Sequence, residues 1–162
     1  MRRGYIFLEI LMGVALAGLV FVGAVAMFGD MRLQLQQRQM DTAARWFIAD
    51  CRMIQQGNMF SIRENIFGED TIFNHKRIVA PYDKEYYAID FYNTGLATDT
   101  YSFRDMGCGG VYFSTMNDII EFSGLGSINR ATYIVLKHRD NKDLQLTLNL
   151  QPVTGRIEIE NN

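Results

Sequence analysis

No charged side chain occurs between Ile10 and Gly29, a run of twenty residues made mostly of Leu, Val, Ala, Met, Phe and Gly. As a helix this run spans ~30 Å, the thickness of a bilayer's hydrocarbon core. From Asp30 to Met59 the pattern changes: there is no proline, and no glycine until Gly57, while Gln, Arg, Met and Ala abound. Met40, Ala44, Phe47, Cys51 and Ile54 recur at spacings of 4, 3, 4 and 3, which draws one apolar stripe along a helix. Gln39, Asp41, Arg45, Asp50 and Arg52 fall largely off that stripe. The pattern predicts one long helix, apolar all round over residues 5–29 and amphipathic over 30–59.

Gly57 to Ala80 shows no clear period and reads as the loop leaving the helix. Short β-like segments follow at Lys76–Ala80, Tyr86–Tyr92, Val111–Ser114, Ile119–Phe122, Thr132–His138, Leu144–Leu150 and Arg156–Ile159. The clearest sets Leu144, Leu146, Leu148 and Leu150 against Gln145, Thr147, Asn149 and Gln151, the alternation of a half-buried strand. Asn93-Thr94-Gly95, Gly107-Cys108-Gly109-Gly110, Gly124-Leu125-Gly126 and Asp140-Asn141 mark turns between them. The expected fold class is α+β: a long N-terminal helix whose second half packs on an antiparallel β domain over residues 60–162.

Composition narrows the function. With 48% hydrophobic residues and only two prolines, the chain is neither disordered nor low-complexity. A net charge of −2 argues against a nucleic-acid clamp, which needs a basic face to neutralise phosphates. Arg2 and Arg3 precede the apolar run, so the N-terminal side is expected to stay cytoplasmic and the β domain to lie outside. Glu9 fits neither an ordinary signal peptide nor a plain anchor, because a carboxylate inside a membrane helix costs ~2.5–3.5 kcal/mol.

The segment Arg2-Arg3-Gly4-Tyr5-Ile6-Phe7-Leu8-Glu9-Ile10-Leu11 closely resembles the processing signal of type IV prepilins and pseudopilins. In that family a basic leader ends in glycine, an aromatic residue follows the cut, and a glutamate stands fifth in the mature chain. The resemblance implies a leader of residues 1–4, cleavage between Gly4 and Tyr5 by a membrane prepilin peptidase, and N-methylation of Tyr5. It also implies a role for Glu9 in filament assembly, by pairing with the Tyr5 ammonium of a neighbouring subunit. Tyr5 stands where Phe is commoner, Phe7 where Thr is frequent, and Ala26 where many major pilins carry proline. Any local unwinding of the helix would then fall to Gly13, Gly18, Gly23 and Gly29.

The order of long helix and β domain is also that of pilins. Ile119-Ile120-Glu121-Phe122 followed by Gly126, with Thr154-Gly155-Arg156-Ile157 near the end, is similar to minor pseudopilins of the GspH/FimT type. The resemblance implies a non-enzymatic structural subunit of a type IV pilus-like filament serving type II protein secretion, competence (DNA uptake) or a type IV pilus. Its expected partners are other pilin or pseudopilin subunits, the prepilin peptidase, membrane lipid, and an inner-membrane assembly platform with its ATPase. Its expected place is the inner membrane as a single-pass protein, then an extracytoplasmic filament. Removing the leader takes the charge from −2 to −4, and no direct nucleic-acid binding is expected. Two rivals stay open: a secreted or membrane-anchored β-domain binding protein with an ordinary signal peptide cut after Ala26, and a membrane-tethered enzyme.

Little else carries chemistry. Cys51 and Cys108 would be exported, where a disulfide can form, and a bridge and two unpaired thiols are both consistent with the sequence. His75 and His138 sit among polar neighbours and read as surface residues; no metal site and no cofactor is expected. The aromatic residues from Tyr82 to Phe113 read as sheet core in preference to a ligand platform. Trp46, off the apolar stripe, is either an intersubunit contact or covered by the following loop.

Overall fold

A computed structural model describes residues 3–60, 76–91, 97–115, 118–128 and 132–160. One helix, α1, runs unbroken over Arg3–Phe60, straight through Gly13, Gly18, Gly23, Gly29 and Gly57. The segment expected to be irregular from Gly57 is helical as far as Phe60, and residues 61–75 lie outside those described. Eight strands follow among the described residues: β1 Lys76–Ala80, β2 Tyr86–Phe91, β3 Ala97–Ser102, β4 Val111–Phe113, β5 Asp118–Glu121, β6 Thr132–His138, β7 Asn141–Leu150 and β8 Ile157–Glu160. They form two antiparallel four-stranded sheets, ordered β3-β2-β1-β5 and β4-β6-β7-β8. The α+β layout expected from the sequence is thus present, with its β region divided in two.

The chain divides into two compact units, Met1–Gln37 and Arg38–Asn162. In the first, the large apolar side chains of α1 from Tyr5 to Leu35 are all exposed. In the second, the predicted stripe is the buried face of the helix: Met40, Ala44, Phe47, Cys51 and Ile54 are each at most 2% exposed. Phe47 shows how the two sheets share one core. Its ring meets Tyr87 of β2 edge-on at 5.1 Å and Phe113 of β4 at 5.3 Å, and Phe103 packs 5.2 Å from Phe113. Each such pair contributes ~0.5–1.5 kcal/mol beyond the area it buries.

Sheet alternation supplies the rest of the core. Ile78 of β1 faces Ile89 and Ile120 across its two neighbours, while Ile134 and Leu136 of β6 face Leu148 and Leu146 of β7. The two sheets are also tied by backbone at one corner, where the Asp83 amide donates to Phe113 O (2.8 Å) and the Phe113 amide donates to Lys84 O (3.1 Å). Asp83 takes the left-handed conformation at φ 57° to make that turn. Arg139 covers the corner, lying 4.9 Å over the Tyr112 ring and donating to Glu85 at 2.8 Å.

Candidate functional site

The N-terminal half of α1 concentrates the sequence-predicted site residues. Gly4 lies within the helix, Tyr5 is 77% exposed, and Glu9, also exposed, follows one turn later on the same face. Glu9 is the one charged residue between Arg3 and Asp30. The best 18-residue window of α1 reaches a mean hydropathy of 2.5 with none of its residues buried, so the helix is long and apolar enough to cross a membrane. A helix apolar on every side needs lipid or other apolar helices around it. Met1 and Arg2, the start of the expected leader, lie outside the described residues, as does His75.

A second group of residues gathers at the C-terminal end of α1. The Gln55 amide donates to Gly126 O at 2.6 Å and to Thr154 O at 3.3 Å. One turn on, the buried Asn58 amide donates to Lys76 O (2.8 Å) and Phe122 O (3.1 Å) and accepts from the Lys76 amide (3.0 Å). Gln55 and Asn58 thereby fasten the helix to β1, to the turn after β5 and to the β7–β8 turn. The two glycines of the C-terminal resemblance meet here: a side chain on Gly155 would begin 2.3 Å from both Gly126 O and Gln55 Nε2. Gly155 also sits at φ 62°, a conformation most L-residues avoid. The sequence reading quoted Gly126 and Gly155 but overlooked Gln55 and Asn58. A usable signal existed, since Asn58 follows Ile54 by four residues and so continues the buried stripe.

The remaining candidates are structural. Cys51 and Cys108 are buried free thiols. They occupy different levels of the core: Gln39, which donates to Gly107 O at 3.4 Å beside Cys108, precedes Cys51 by ~18 Å of helix rise. Burial pushes the Cys51 thiol well above its ordinary range, helped by the Asp50 charge, and burial also raises Cys108. Both are poor nucleophiles in that state. Tyr87 donates its hydroxyl to Asp50 at 2.5 Å, and burial first, then that bond, push its ionisation far above the usual phenol range.

His138 corrects the sequence reading. It is 2% exposed, not a surface residue, because it continues the inward alternation of Ile134 and Leu136 along β6. Its Nδ1 accepts from the Asp140 amide (3.2 Å) and its Nε2 faces Gln39 Oε1 (3.3 Å), so both polar atoms are satisfied without solvent. The aromatic region divides: Tyr87, Phe103 and Phe113 are fully buried, whereas Tyr82 is 57% and Tyr86 38% exposed. Trp46 is 52% exposed. Among the described residues no group of three or more His, Cys, Asp or Glu side chains could hold a metal ion.

Comparison of the chain with protein-family models, curated proteins and solved structures finds no match.

Proposed function

We propose that the chain is a minor pilin or pseudopilin, a structural subunit of a type IV pilus-like filament, processed between Gly4 and Tyr5. The observation that carries this reading is Glu9, a lone carboxylate in the membrane-length stretch of α1 over residues 5–29, whose large apolar side chains are all exposed. In lipid such a group is costly unless it meets a cation in good geometry. A new amino terminus at Tyr5 supplies one. The Tyr5 ammonium of one subunit and the Glu9 carboxylate of the next neutralise each other as the apolar helices bundle, and the pair sets the axial register between them. The β domain then faces outward toward other subunits or cargo. Secretion, DNA uptake and pilus assembly share this helix logic, and the prepilin peptidase, the membrane platform and its ATPase are the partners the reading requires.

The test is the mature N-terminus, read by intact and peptide mass spectrometry of protein made with and without a prepilin peptidase. A peptidase-dependent start at Tyr5, carrying an N-methyl group, is the expected result. A start at Met27 overturns the filament reading in favour of an ordinary secreted domain. An intact Met1 with the peptidase present overturns it in favour of a plain anchor.

A further inference from the structure

We draw no further inference here: the strongest candidate, the surface patch formed by the two adjoining uncharged turns beside Gln55 whose tips Leu125 and Val153 are 86% and 84% exposed, carries nothing because nothing in the structure shows what covers it.

Discussion

At Gly155 two physical demands meet in one residue. The backbone stands at φ 62°, and the space a Cβ would take is held by Gly126 O and Gln55 Nε2, both 2.3 Å away. Gly155→Ala should therefore destabilise the domain by ~2–4 kcal/mol, combining the left-handed penalty with overpacking against backbone. Gly57 is the opposite case, a helical glycine with nothing within 4 Å of the missing side chain. Gly57→Ala should raise stability by ~0.5–1 kcal/mol. Denaturant midpoints of the two variants beside the parent test both signs at once. Tyr87 and Cys51 give the domain a pH dependence that can be signed. Both groups have ionisation raised in the folded state above ordinary values of 10.0 and 9.0. The folded state thus holds these protons more tightly than the unfolded chain. The resulting stabilisation is complete below the thiol range and is lost as pH climbs through 9 and 10 and beyond. Stability measured at about pH 8 and about pH 11 should fall between the two, and Tyr87→Phe should shrink that fall by removing the phenol.

Within α1, one face folds the domain and the other does not. Phe47→Ala should cost ~3–5 kcal/mol, since the fully buried ring bridges Tyr87 of one sheet and Phe113 of the other. Trp46→Ala, next in sequence and half exposed, should change folding stability by no more than ~0.5 kcal/mol. Thermal melts of the two variants give a direct reading of which face is the core. This division was legible in the sequence, because a 3.6-residue period is imposed by burial on one side and survives any ignorance of the partner. The strands with apolar alternation were legible for the same reason, β6 and β7 above all. β3 was not. Its sequence Ala-Thr-Asp-Thr-Tyr-Ser lacks an apolar alternation, and it pairs with β2 alone as the outermost strand of its sheet. An edge strand takes its structure from a neighbour's hydrogen bonds, which leave no periodic signature. His138, Gln55 and Asn58 escaped for a related reason. The local periods do place His138 and Asn58 inward, but the partners that satisfy their polar atoms lie 99 and 64 residues away, and half-buried Gln55 finds its own 71 residues away. A polar residue announces no long-range partner in its own neighbourhood.

For the whole molecule, the proposed function turns on one carboxylate, Glu9, in a helix long and apolar enough to cross a membrane. If Glu9 registers subunits through the Tyr5 ammonium, its removal acts on assembly and leaves folding alone, because the unit Arg38–Asn162 holds the buried core. Glu9→Gln should leave the domain's thermal midpoint and the Gly4–Tyr5 cut unchanged. It should lower filament incorporation at least about tenfold, because an ammonium left unpaired in an apolar bundle costs ~3–5 kcal/mol. Tyr5→Phe, which keeps the new amine and an aromatic ring, should assemble normally. Quantifying sheared filaments against membrane-retained protein for the parent and both variants separates the outcomes. Equal incorporation of Glu9→Gln and the parent would show that the carboxylate has no pairing partner in the assembled state. The apolar helix would then hold subunits by packing alone, and Glu9 would need a purpose within the membrane before assembly begins.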